Sequence, residues 1–216
     1  MNSKRLLAIA SFIDKDDKLI DVGCDHGYLG IYLKQNNLVN DLLLTDLRSN
    51  ALNSAIKNIN KYDLNIKTIQ TDGLNNIDLN KYNTVSISGM GTSTIIDILS
   101  LLKNDSSIKK LIIQSNNDLN ILRKEIEKIG FYLDDEITVK ENNIFYVICK
   151  FSKKYKKISD ETYLFGINKR DKVEYYSYLI ENYNNIIKNI SKTNKKRINE
   201  LKENIKILNE LLKKCR

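Results

Sequence analysis

Asp21-Val22-Gly23-Cys24-Asp25-His26-Gly27-Tyr28, entered from the apolar pair Leu19-Ile20, is the stretch that decides the fold. A short buried strand runs into Asp-x-Gly-x-Asp-x-Gly and then into a helix opened by Leu29, Ile31, Tyr32 and Leu33. That is the strand–turn–helix step of a nucleotide-cofactor loop. Its two glycines allow a tight turn and let the backbone approach a ligand with no Cβ in the way. Its two carboxylates would repel a pyrophosphate but suit a ligand that carries an amino group and a positive sulfonium. A dinucleotide fingerprint needs G-x-G-x-x-G at this turn, and the loop lacks it. The expected cofactor is therefore S-adenosylmethionine.

Outward from the loop, residues 1–150 alternate short apolar runs with amphipathic ones, the pattern of an α/β protein. Strands are predicted over 18–22, 41–46, 66–71, 83–88 and 109–114, with an antiparallel hairpin over 131–139 and 144–151 turning at Glu141-Asn142-Asn143. Helical stripes fill the gaps: Ala51, Leu52, Ala55, Ile56 and Ile59, then Ile95, Ile96, Ile98, Leu99 and Leu102, then Ile121, Leu122, Ile126 and Ile129. Gly130 follows the last stripe as a left-handed C-terminal cap, and a helix over 3–13 precedes the first strand.

In an open parallel sheet, ligands bind beyond the carboxyl ends of the strands, at the switch in strand order. The strand ends here are polar in succession. Asp21 and Gly23 close the first strand, with Cys24, Asp25 and His26 in the loop that follows. Asp46 and Leu47 close the second, where a carboxylate is expected to take the ribose hydroxyls. Asp72-Gly73 follow the third, positioned for the adenine amino group, and Ser88-Gly89-Met90-Gly91 the fourth, facing the methyl donor.

Charge divides the chain. Residues 1–150 hold 18 Lys and Arg against 19 Asp and Glu, whereas 151–216 hold 17 against 8, so the net +8 sits in the last third. A near-neutral body with a basic tail suits a polyanion, RNA or DNA first. Residues 152–170 read as a basic connector. Beyond them Ile187, Ile190, Asn194, Ile198, Leu201, Ile205, Leu208, Leu212 and Cys215 recur in three- and four-residue steps, a coiled-coil seam. Ser191-Lys192-Thr193-Asn194 is either a turn between two antiparallel helices or a polar patch in one long helix; the hairpin is favoured because an exposed seam needs a partner. No signal-peptide core and no apolar run of about 20 residues is present. Three scattered cysteines show neither metal-ligand spacing nor a disulfide framework, and with no metal expected the default is a reducing cytoplasm. Proline is absent altogether.

With these loops in place the chain resembles the bacterial TrmK family of tRNA (adenine-N1)-methyltransferases, which act on the adenine at tRNA position 22. The matching stretches are Asp21–Tyr28, Ser88–Gly91, Leu111–Asn116, Leu122-Arg123 before Gly130, Glu141 with Phe145-Tyr146, and Phe165-Gly166. The resemblance implies a Rossmann-like class I methyltransferase domain with a mostly parallel seven-stranded sheet over 1–152. It also implies a basic helical domain, a coiled-coil hairpin over 153–216, that holds tRNA. Departures from the family pattern are Gly27 for Ala, Thr92 for Gly, Ser115 for Pro and Ile167 for Pro.

Methyl transfer to N1, in the D arm of tRNA, requires the base to be turned out and held. The candidates for that work are Gln114 and Asn116 at the base edge, Tyr146 or Tyr28 for stacking, and Asp25 or His26 for polar work at the donor. His26 is the chain's one histidine, and a loop histidine bonded to neighbouring backbone is the plainer role for it. Arg123 reads as a solvated helix residue, and Tyr175, Tyr176, Tyr178 and Tyr183 as helix packing before base stacking. A monomer is expected. Methylation of another RNA and a non-catalytic tRNA-binding module stay open as alternatives.

Overall fold

The computed structural model describes residues 3–215. Seven strands form one sheet: β1 (Lys18–Val22), β2 (Asp41–Asp46), β3 (Lys67–Gln70), β4 (Thr84–Met90), β5 (Lys110–Ser115), β6 (Tyr132–Glu141) and β7 (Ile144–Ser152). Their order is β3-β2-β1-β4-β5-β7-β6, with the first five parallel and β7 antiparallel to both its neighbours. Helices α1 (Lys4–Ala10), α2 (Tyr28–Gln35), α3 (Ser49–Lys61), α4 (Thr92–Leu99) and α5 (Leu119–Lys128) connect or flank them. Leu19 and Ile20, Leu43 and Leu44, Val85 and Ile87, and Ile112 and Ile113 are all essentially inaccessible. Neighbours of opposite facing are thus both covered, which is why these strands read as unbroken apolar runs rather than alternating ones.

Turn chemistry follows the composition. Asn142 and Asn143, both at positive φ, make the two-residue turn between β6 and β7, a geometry that suits the twist of a hairpin. Gly130, at φ 82°, ends α5 in the left-handed cap its position suggests.

Arg123 is not solvated. It is 2% exposed on α5 and donates through Nε (3.1 Å) and Nη2 (2.6 Å) to Glu136 Oε1 on β6, itself fully buried. The Cys149 thiol on β7 donates to the same oxygen at 3.1 Å. A surface reading failed because Leu122-Arg123 turns inward with the apolar stripe of its helix, and the charge it carries under the sheet is met by a carboxylate 13 residues on.

The chain divides into two compact units after Ile158, so Lys153, Lys154, Lys156 and Lys157 belong to the first. The second holds α6 (Asp160–Phe165), α7 (Val173–Asn189) and α8 (Lys195–Cys215). Helix α6 lies where the sequence suggests only a connector. It is short, capped by Ser159 accepting from the Thr162 amide at 3.2 Å, and carries one buried side chain, Phe165, too little for a periodic signal. Helices α7 and α8 pack as a hairpin about the turn at Ser191–Asn194, closed by an Asn194 amide to Ser191 carbonyl bond of 2.9 Å. Its core is Phe165, Tyr176, Leu208, Leu211 and Cys215, with Tyr175 and Tyr183 packed against it, while Tyr178 stays exposed. Leu211, rather than its seam neighbour Leu212, is the fully buried one. Lys172 is buried beside this core and its ammonium donates to the Phe165 carbonyl at 3.2 Å. Among the described residues, no helix is long and apolar enough to cross a membrane.

Removing one member of a buried ion pair strands the other in a low dielectric. Glu136→Ala is therefore expected to destabilise the first unit by about 3–5 kcal/mol, read as the shift of its urea transition; a loss below about 1 kcal/mol would mean Arg123 finds water.

Candidate functional site

Strand order reverses between β1 and β4, and at their carboxyl ends a cleft of about 500 Å³ opens. It is lined by Asp21, Gly23, Cys24, Asp25, His26 and Tyr28 from the β1–α2 step, and by Asp46 and Leu47 after β2. Asp72 and Gly73 follow from beyond β3, and Ser88, Gly89 and Met90 from the end of β4. All the cofactor candidates read from the strand ends thus share one cavity.

The loops are hung on the backbone of β2. The Gly23 and Cys24 amides donate to the Thr45 carbonyl at 2.8 and 2.9 Å. The Asp46 carboxylate, 4% exposed, takes the Asp25 amide on Oδ2 (3.0 Å) and the Arg48 amide on Oδ1 (2.9 Å). Arg48 Nε lies 3.5 Å from the same Oδ1, and Arg48 Nη2 3.6 Å from Asp25. Gly23 sits at φ 73°, in the left-handed region that favours glycine, and a Cβ there would also displace the Met90 methyl.

Asp21 is buried and accepts from Ser86 Oγ at 2.6 Å. Burial pushes its pKa up to about 6, the Ser86 bond opposes this, and nearby Asp46 adds to it. Burial, with the same carboxylates, also drives the Cys24 thiol upward, so it is no thiolate at neutral pH. At the mouth the Asp25 and His26 side chains are exposed and 3.7 Å apart. The His26 ring stacks on Tyr28 (centroids 5.5 Å, planes 27° apart), and Tyr28 is 53% exposed, an aromatic face open to solvent. The His26 carbonyl is bonded by Asn58 Nδ2 at 2.9 Å.

The remaining three candidates do not line the cleft. Gln114 is 1% exposed: its Oε1 accepts from the Gly89 amide (3.0 Å) and from Arg5 Nη1 (3.2 Å), and its Nε2 donates to Asn116 Oδ1 (3.1 Å). Asn116 Nδ2 donates to the Gly89 carbonyl at 2.8 Å. Both amides bond the Gly89 turn; Gln114 is buried there with its oxygen and nitrogen engaged, whereas Asn116 is exposed beside it. Tyr146 is half-buried with the Arg5 guanidinium 5.3 Å from its ring centre. Two departures from the family pattern meet here. Thr92 Oγ1 and Ser115 Oγ are 2.8 Å apart, and Thr92 Oγ1 also bonds the Asn117 carbonyl at 2.6 Å, fastening α4 to the end of β5.

Sequence reasoning missed Arg5 and Leu6 from α1, Arg48, and Thr71, Thr94 and Ile98, all in the lining. Arg48, two residues past Asp46, was within reach of a spacing argument. Nothing near Arg5 in the sequence announces that α1 delivers it to the far side of the sheet.

Four carboxylates against two guanidiniums, Arg5 half-buried and Arg48 exposed, suit a cationic ligand with hydroxyls, and they fit S-adenosylmethionine better than any phosphate. No cluster of three metal-binding side chains occurs among the described residues.

The family model described as "Methyltransferase domain" matches residues 2–149. The tRNA (adenine(22)-N(1))-methyltransferase of Bacillus subtilis is 30% identical over 68% of this chain and 63% of its own length. A Mycoplasma genitalium protein provisionally named a tRNA methyltransferase is 31% identical over 83% of this chain and 87% of its own. The structure of M. capricolum TrmK in complex with S-adenosylhomocysteine superposes with a TM-score of 0.85, is 30% identical, and covers all of both chains.

The raised Asp21 value has a sign that can be checked on the ligand-free protein. Below about pH 4 the carboxyl is protonated folded or unfolded and its burial costs little; between about 4 and 6 the unfolded chain gives up its proton first, so stability falls; above 6 the loss is complete at about 3 kcal/mol. Asp21→Asn, which still accepts from Ser86, is expected to raise the melting temperature at pH 8 and leave it unchanged at pH 4. An equal shift at both values would refute an ionised buried carboxylate.

Proposed function

The chain belongs to the methyltransferase-domain family and, within it, to the TrmK tRNA methyltransferases, and we propose that it moves a methyl group from S-adenosylmethionine to N1 of adenine 22 in the D arm of tRNA. The observation that carries this reading is the ordered row of strand-end carboxylates in one cleft, Asp21, Asp46 and Asp72, with Gly23 and Gly89 between them.

When bound, the cofactor supplies an electrophilic methyl group. Asp46 would take the ribose hydroxyls, since the Asp25 and Arg48 amides use two of its roughly four acceptor sites. Asp72 would take the adenine amino group. Asp21 and Asp25 would hold positive charge, and Gly23, Cys24, Leu47, Gly73, Ser88 and Met90 would shape the walls.

Adenine N1 carries an in-plane lone pair that is free in the neutral base, so no strong base is needed to create the nucleophile. The protein's contribution is therefore placement. N1 lies on the Watson–Crick edge, and the base must leave its pair to expose it. The stacked His26–Tyr28 face at the cleft mouth gives the turned-out ring a surface to rest on, and the exposed Asp25 carboxylate beside it offsets the charge the base acquires on methylation. Gln114 and Asn116 act through the Gly89 turn. Residues 153–216 would grip tRNA phosphates with their excess of lysine, making binding strongly salt-dependent. The reading places a monomer in the cytoplasm, where tRNA and unpaired thiols belong.

The test is incubation of the purified protein with S-adenosylmethionine and a tRNA transcript, followed by nucleoside mass spectrometry. One 1-methyladenosine per transcript carrying A22, and none when A22 is replaced by G, is the expected result. Unmodified A22 transcript, or methylation that persists after the replacement, would overturn the proposal. Tyr28→Ala is expected to lower kcat/KM for tRNA by about tenfold or more, the worth of one base stack, with cofactor affinity retained.

A further inference from the structure

The β6–β7 hairpin runs past the rest of the sheet. Pairing of β5 with β7 ends at Gln114 and Ile148, whereas β6 and β7 stay paired out to Glu141 and Ile144. The stretch of β7 from Ile144 to Val147 therefore overhangs the edge at which the parallel strands end and the cleft opens, a reach of roughly 13 Å. Beyond Gln114 the hairpin has no third strand, and it is steadied from its faces instead. Side chains of a pleated pair alternate between faces, so Glu141, Ile144 and Tyr146 share the face that meets α1. On that face the Arg5 amide and the Ser3 hydroxyl donate to Glu141 Oε2 at 2.9 and 3.0 Å, and the Arg5 guanidinium lies over the Tyr146 ring. On the other face the cross-strand neighbours Lys140 and Phe145 meet, the ammonium 5.2 Å from the ring centre. The overhang is thus tied on both sides, and Arg5 and Leu6 of the helix that braces it line the cleft.

The tip itself is left bare. Asn142 and Asn143 turn the chain at positive φ with their side chains exposed, and Ile144, 54% exposed, follows them. Among the exposed large apolar side chains, Tyr28 and Leu47 line the cleft and Ile144 stands above its edge. An aliphatic group held in water at the end of a braced arm contributes little to a core. Its branched side chain has few rotamers, which suits it to entering a close-packed stack.

The reaction supplies such a stack. A paired adenine must be turned out to bring N1 to the methyl donor, and this costs the stacking and pairing it gives up and leaves a gap between its neighbours. Apolar side chains inserted at a base step are a general means of holding nucleic acid in an unstacked form. We infer that Ile144 is a wedge of this kind: when A22 leaves its stack for the cleft, the tip of the β6–β7 hairpin enters the vacated position. The inference rests on the A22 reading given above. It divides the handling of the base between two apolar groups, Tyr28 under the extruded ring and Ile144 in the place it has left.

The experiment compares two tRNA transcripts, one with A22 paired and one in which the base opposite A22 is replaced by one that cannot pair with it. Each is methylated by the full chain and by its Ile144→Ala and Ile144→Met variants. On the paired transcript Ile144→Ala is expected to lower kcat/KM about tenfold, and Ile144→Met, which keeps an apolar side chain of similar bulk, to retain most of the rate. On the unpaired transcript, where less has to be disrupted, the loss in Ile144→Ala should shrink below about threefold. The fluorescence of 2-aminopurine placed at position 22, which brightens on leaving a stack, should rise on saturation with the wild-type chain and rise less with Ile144→Ala. Cofactor affinity and the melting transition should not change, since the exposed tip supports neither the cleft nor a core. No loss on the paired transcript, an equal loss on both, or a loss of cofactor affinity would overturn the inference. Absence of 1-methyladenosine from both transcripts after incubation with the wild-type chain would instead overturn the A22 reading.

Discussion

One buried carboxylate organises the site. Asp46 closes β2 and spends its two oxygens on the backbone amides of Asp25 and Arg48, so the loop after β1 and the loop after β2 are tied to a single group. The Thr45 carbonyl beside it anchors Gly23 and Cys24 in the same way. Charge-assisted bonds to backbone amides are strong, and they are indifferent to side-chain identity at the residues they hold. That leaves Asp25, His26 and Arg48 free to present their side chains outward. It also leaves Asp46 with acceptor capacity directed at the cleft.

The electrostatics of the cleft follow from that arrangement. Asp21 is withdrawn from water with Ser86 bonded to it, and its neighbour Asp46 is already occupied by two backbone amides. The result is a negative pocket whose cost is lowered by the arrival of a cation. The same logic runs in reverse at Arg5, a cation held by neutral groups, an amide oxygen and an aromatic ring.

Much of this was legible in the residues. Four of the five parallel strands were readable because burial on both faces turns them into continuous apolar runs, β3 at the edge being the exception, and the site was readable because polar residues fall at the carboxyl ends. What was not legible depends on contacts between segments far apart in sequence. Arg5 is held at the cleft by Gln114, 109 positions later, and by the still more distant Glu141 and Tyr146. Gln114 looked free to meet a base because a strand-end amide carries no sign of whether its partners lie in front of it or behind. Arg123 looked solvated because its carboxylate, Glu136, lies on a strand whose placement beyond β7 no local pattern reveals. The departures Thr92 and Ser115 bond each other through their hydroxyls, a contact that the family's Gly and Pro could not make and that no local pattern reveals.

The second unit has a core of its own, built on Phe165, Tyr176, Leu208, Leu211 and Cys215. Each unit can therefore lose its packing while the other keeps it, and heating this chain is not bound to be an all-or-none event. A single melting temperature would average two transitions of unequal enthalpy. Calorimetry that resolves them would show the sheet and the helices as separate cooperative bodies, and would let damage to the helical part be told from damage to the part that carries the cleft.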